Sequence, residues 1–118
     1  MKDIDLSKIK SVFFIGIGGI GISSLAKMAL SRGMLVSGVN DEESPKTLGS
    51  LRKLGAEIFY QYQLRELPEA DLYIYSDAWP HRGPEIIAEA NATGKPVLSY
   101  FEALGQFAKE YKVIAVAG

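Results

Sequence analysis

The stretch VFFIGIGGIGISSLA, residues 12–26, decides how the chain is read: it sets four glycines within positions 16–21, between an apolar run and a helix-like one. Val12 to Ile17 is apolar without alternation, the pattern of a strand covered on both faces, which implies a parallel sheet. Ile22, Leu25, Met28 and Ala29 then recur at helical spacing, and Gly33 supplies a left-handed stop. Gly16, Gly18 and Gly21 satisfy G-x-G-x-x-G directly after a strand and at the mouth of a helix. With no Cβ in the way, the amides of Gly18 to Ile22 can approach a phosphate, and the helix start adds about half a positive charge. Gly19 is a further bare position, and Ser23 and Ser24 offer hydroxyls from the first turn. A pyrophosphate fits this pattern; a tight strand–helix turn with no guest is the plain alternative.

Working outward, strands and helices alternate. LVSGVN (35–40) reads as a second strand, and Ser44 and Pro45 open a helix that turns Leu48, Leu51 and Leu54 inward until Gly55. AEIFY (56–60) and DLYIYS (71–76) are strands three and four, joined by QYQLRELPEA (61–70), which has room for a single short turn. Pro84 opens a helix with Ile86, Ile87 and Ala90 on one side, stopped by Gly94, and KPVLS (95–99) is strand five. A last helix, about Tyr100 to Lys109, is expected to bury Phe101, Leu104, Phe107 and Ala108. KVIAVAG (112–118) reads as a sixth strand-like run. The expected fold is α/β: a Rossmann-like, doubly wound, open parallel sheet of five to six strands in three α/β/α layers. Ligands of such sheets bind outside the carboxyl ends of the strands, near the switch point.

The 118 residues suit one domain, and 47% hydrophobic with 23% charged residues is a folding composition. Thirteen basic against fourteen acidic side chains give a net charge of −1, with no block of like charge to draw a polyanion, so nucleic acid is not expected as a partner. There is no cysteine for a disulfide or thiolate site. No apolar run reaches the roughly 18 residues of a membrane span, and MKDIDLSKIK lacks a signal-peptide core, so no membrane partner and a cytoplasmic location are expected. His81 is the single histidine, and no carboxylate cluster has ligand spacing, so no metal site is expected.

A dinucleotide site would carry an acid about 20 residues past the glycines, at the end of strand two. That locus holds Asn40 and then Asp41, so it leaves open an NAD(P)-binding domain of a dehydrogenase or regulatory sensor, with Asp41 on a ribose, beside an adenine or uridine nucleotide site. Trp79 can stack on a base or simply pack. His81 and Arg82, in a loop at the strand edge, can meet a phosphate or stand in solvent.

FFIGIGGIGISSLAKMALSRGMLVSG (13–38) resembles the opening of the Mur ligase family, whose start runs F-I-G-I-G-G-x-G-M-S and, after a helix, V-x-G-S-D. Within that family the resemblance points to the UDP-N-acetylmuramate:L-alanine ligases. LRKLGAEIF resembles the family's L-x-x-x-G-A-x-I, DLYIYSDAWPHRGPEIIAEANATGKPVLS its segment ending in N-P-E, and VIAVAG the approach to its ATP loop. The resemblance implies a UDP-sugar-binding N-terminal domain, residues 1–112, and a strand, 113–118, leading into a central ATPase domain that this chain lacks, with Gly118 as the first glycine of the ATP loop. It implies UDP-N-acetylmuramate as substrate and the central and C-terminal domains of the same chain as partners. It also implies a role in peptidoglycan synthesis, with ATP and Mg acting in the full-length parent, no cofactor in this piece, and no catalytic residue here. Gly16, Gly18, Gly19, Ile20 and Gly21 would cradle the UDP pyrophosphate with Ser23 beside them. Ser76, Asp77, Ala78 and His81 would face the nucleotide, and Asn40 would lie near the uridine. Among the departures from the family pattern, Asn40 replaces Asp, Gln61 and Tyr62 replace Gly-His, and Gly83 replaces the Asn of N-P-E.

Overall fold

In the computed structural model, which describes residues 4–41, 45–60 and 64–117, ten elements follow a short 3-10 turn at Leu6–Lys8. They are β1 (Ser11–Ile15), α1 (Ile20–Ser31), β2 (Leu35–Asn40), α2 (Pro45–Lys53), β3 (Glu57–Tyr60), β4 (Leu72–Tyr75), α3 (Trp79–Arg82), α4 (Pro84–Ala92), β5 (Val97–Ser99) and α5 (Tyr100–Ala117). Ser44, Gln61, Tyr62 and Gly118, all used in the sequence reading, lie outside the described residues.

The strands form one five-stranded sheet in the order β3-β2-β1-β4-β5, every pair parallel. This is the Rossmann-like, doubly wound arrangement, with the reversal of strand order between β1 and β4. Successive residues of β1 point to opposite faces, and both faces are covered. Val12 and Phe14 pack into the core beneath α1, α2 and α5, with Leu25, Leu48, Leu51 and Phe107. Phe13 and Ile15 enter a second core with Val39, Tyr73, Trp79, Ile86 and Ala90. An unbroken apolar strand is the sequence form of this two-sided burial.

No helix occupies residues 64–71, between β3 and β4. Leu64, Leu67 and Ala70 cover the sheet there instead, and the Tyr73 hydroxyl donates to the Pro68 carbonyl at 2.7 Å. Burial of that phenol raises its pKa above the ordinary tyrosine value. At the amino edge of the sheet, Asp71 Oδ2 accepts from the amides of Lys10 at 2.8 Å and Ser11 at 3.3 Å. The Asp71 amide donates back to the Ser11 carbonyl at 3.1 Å, so one carboxylate aligns the starts of β1 and β4.

Three expectations are corrected. Residues 112–117 continue α5 and do not form a sixth strand; a helix satisfies its backbone groups internally, whereas a strand needs a neighbour to pair with. α5 buries Ala103, Gln106 and Phe107, an i, i+3, i+4 set, which leaves Phe101 67% exposed and Leu104 and Ala108 on the outer side. Leu54 falls one residue beyond α2 and is 57% exposed, not inward.

Gly38 in β2 sets the height of the loop above it. A Cβ there would lie 2.7 Å from Ile17 Cδ1 and 2.8 Å from the Phe14 carbonyl oxygen, so the missing side chain is the seat of fully buried Ile17. Strand propensity alone would have Gly38→Ala stabilise the fold. The packing reverses the sign: the expected result is a loss of about 2 kcal/mol, roughly 8 °C in Tm at this chain length, read by thermal unfolding.

Candidate functional site

The carboxyl ends of β1, β2 and β4 meet at one edge of the sheet. The chain leaves β1 through amides that belong to β2: Gly16 N–H and Ile17 N–H both donate to the Val39 carbonyl, at 2.8 and 3.1 Å. Gly16 has φ +86°, a conformation that glycine enters without a Cβ penalty. A Cβ there would also collide with the Trp79 indole and come within 2.6 Å of Ser76 Oγ. Gly16 therefore permits both the turn and the close approach of α3.

The remaining loop amides divide sharply. Gly18 N–H donates to Asn40 Oδ1 at 3.2 Å, and Gly19 N–H to the Gly16 carbonyl at 3.1 Å. Ile20, Gly21 and Ile22 open α1, and their amides take no partner among the described residues, as expected of a first helical turn. The sequence reading offered the amides of Gly18 to Ile22 to a phosphate; the fold commits the first two internally and leaves three. Ser23 Oγ donates to the Ile20 carbonyl at 2.8 Å, and Ser24 Oγ to the same oxygen at 3.4 Å. Both hydroxyls are thereby turned back onto the helix.

Beside the loop lies a crevice of about 150 Å³. Gly16, Gly18 and Gly19 form one wall, Asn40 and Asp41 a second, and Ser76, Ala78, Trp79 and Arg82 a third. Trp79, only 2% exposed, anchors α3 in the core. Its amide donates to the Ser76 carbonyl at 3.1 Å, and Gly83 N–H closes the helix on the Trp79 carbonyl at 2.8 Å. Arg82, at the far end of that turn, pairs with Asp41 across the mouth of the crevice. Among the described residues no three histidine, aspartate or glutamate side chains cluster as metal ligands, and no helix is long and apolar enough to cross a membrane.

Of the residues proposed from sequence, the crevice thus gathers Gly16, Gly18, Gly19, Asn40, Ser76 and Ala78. Ile20 stands at the helix start, 92% exposed. Gly21 faces α5, where a Cβ would lie 2.6 Å from the Tyr100 ring. Ser23 is buried in α1, while Asp77 and His81 are exposed and do not line the crevice.

This edge belongs to a chain whose residues 11–112 match the family model described as the Mur ligase family, catalytic domain. The chain belongs to the Mur ligase family. A UDP-N-acetylmuramate--L-alanine ligase of Coxiella burnetii is 39% identical over 98% of this chain, and one of Borreliella afzelii 34% identical over 98%. The UDP-N-acetylmuramate-alanine ligase of Thermotoga maritima has a solved structure that superposes with a TM-score of 0.74, 33% identity and 86% coverage of this chain. The UDP-N-acetylmuramate:L-alanyl-gamma-D-glutamyl-meso-diaminopimelate ligase of Neisseria meningitides follows with 0.64, 30% and 78%. This Mur ligase chain spans about a quarter of the length of these relatives: 24% and 25% of the two sequences, 23% and 29% of the two structures.

Sequence reasoning could name Asp41, Trp79 and Arg82 but not join them, since the ion pair links residues 41 apart and the Trp79–Gly16 contact is tertiary. The readable signal at this turn was Gly16, because a glycine is needed where a neighbour approaches the backbone closely. Gly16→Ala is expected to cost about 3 kcal/mol, from left-handed strain together with displacement of Trp79. Urea unfolding of the two proteins, followed by tryptophan fluorescence, measures it; a loss under about 1 kcal/mol would mean that α3 does not rest on this glycine.

Proposed function

We propose that the chain is the N-terminal substrate domain of an ATP-dependent UDP-N-acetylmuramate:L-alanine ligase of peptidoglycan synthesis, holding UDP-N-acetylmuramate with its diphosphate at the glycine loop. One observation carries this reading: three amides at the start of α1 take no partner among the described residues, and they follow directly in the chain on Gly19, which lines a crevice at the point where the strand order reverses. Such amides, aligned with a helix dipole, favour a negatively charged group. Family membership and the similarity to UDP-N-acetylmuramate--L-alanine ligases support UDP-N-acetylmuramate as the sugar nucleotide. In this reading the loop of Gly16 to Gly21 receives the diphosphate, Ser76 and Ala78 border the nucleotide, and Asn40 sets the loop rather than meeting the ligand first.

The proposal extends to the parent protein. Residues 1–112 form the sugar-nucleotide domain, 113–118 lead towards a central domain where ATP and Mg act, and a C-terminal domain completes the enzyme in the cytoplasm. Within the 118 residues the work is to bind and orient; alone they are inactive as a ligase. A dinucleotide reading is not favoured, because the carboxylate it would assign to a ribose, Asp41, is engaged by Arg82.

Titration with amide-resolved NMR tests the proposal. UDP-N-acetylmuramate is expected to move the amide signals of Ile20, Gly21 and Ile22 together with the indole N–H of Trp79, the single tryptophan, while NADH leaves them in place. Movement with NADH and none with the UDP sugar would overturn it.

A further inference from the structure

The charge at the crevice does not balance. A diphosphate brings more negative charge than the roughly half positive charge of a helix start offsets, the glycine loop contributes no charged side chain, and the chain as a whole carries a net charge of −1. Asn40 has also withdrawn one of the loop amides. A cation is therefore needed at the crevice, and Arg82 is the basic side chain that lines it.

Its placement suits the task. Arg82 ends α3, a single turn whose other end is the buried Trp79 seated on Gly16, so the arginine backbone is tied to the same glycine that begins the loop. Its side chain is 49% exposed and reaches Asp41, at the carboxyl end of β2, through one nitrogen: Nη1 lies 3.3 Å from Oδ1 and 3.2 Å from Oδ2. A guanidinium is a planar fork of N–H donors able to hold two oxyanions on different edges. Because Asp41 uses Nη1 alone, Nε and Nη2 stay uncommitted among the described residues.

We infer that Arg82 is the charge-reading residue for a nucleoside diphosphate in this crevice, with Asp41 as the positioning residue that steadies the guanidinium across its mouth. The inference rests on the sugar-nucleotide reading given above and adds what that reading lacks, a counter-charge for the diphosphate. Asp41 contributes modestly, because solvent screens the attraction of an exposed ion pair. Arg82 contributes more, because charge-assisted, bidentate contact with a phosphate is among the stronger hydrogen-bond types.

Isothermal titration of the 118-residue chain with UDP-N-acetylmuramate, UDP and uridine separates the possibilities. Arg82→Gln is expected to weaken both diphosphates about tenfold and leave uridine within twofold. Arg82→Lys, which keeps the charge but loses the fork, should recover part of the loss. Asp41→Ala should weaken the diphosphates two- to threefold without touching uridine, a pattern that damage to the fold would not produce, since all three ligands would then suffer. If the unaltered chain binds the diphosphates and Arg82→Gln binds them equally well, the role of Arg82 is overturned while the sugar-nucleotide reading stands. If Asp41→Ala tightens them, Asp41 competes for the arginine and its positioning role is overturned. If the unaltered chain binds neither diphosphate, the sugar-nucleotide reading fails and this inference fails with it.

Discussion

The carbonyl of Val39 accepts two amides in succession, from Gly16 and Ile17, and the geometry of the candidate site follows from that shared acceptor. It carries the β1–β2 ladder past the formal end of the strand and turns the chain while it is still tethered to its neighbour. Ile17 can then drop into the space over Gly38, and the next residues rise directly into α1. A glycine-rich segment left free would lose much conformational entropy on binding a guest. Here that cost is met during folding, by one backbone oxygen and one buried isoleucine, so the loop is set before any ligand arrives.

The sheet was legible in the sequence because two-sided burial leaves a plain trace, unalternating apolar runs of strand length between helical repeats. Val12 to Ile15, Leu72 to Ile74 and the spacing Ile22, Leu25, Ala29 each read correctly for that reason. Errors gathered where the pattern admits two phases. In α5 the aromatic Phe101 and the small Ala103 compete for the inward face, and packing room under the helix selects Ala103 with Phe107. Hydrophobicity alone favours the larger side chain, whereas close packing does not.

The site was legible in part. The glycines announce backbone access, and the sequence places them correctly after β1. How many amides remain for a guest was not readable, because that depends on Asn40 reaching Gly18 across 22 residues. The same holds for Arg82, which in sequence is one polar residue in a polar loop. The loop supplies shape through atoms it lacks, while charge arrives from a separate short helix locked in place by Trp79. These two parts are independent in sequence and meet only in the fold. Family resemblance alone, read position by position, attends to the glycines and passes over the arginine.

Asp71 lies at the opposite edge of the sheet from the crevice, yet it bears on it. By taking the amides of Lys10 and Ser11, it fixes the zero point from which β1 and β4 are both measured. Five residues later, about 16 Å along the strands, Ser76 arrives level with Gly16, its amide on the Ile15 carbonyl at 2.9 Å. The strands act as two rulers pinned together at one end, so an offset introduced at Asp71 would reappear undiminished at the far end and shear one crevice wall past the other. A residue that touches nothing near the crevice thus sets how its two walls are aligned.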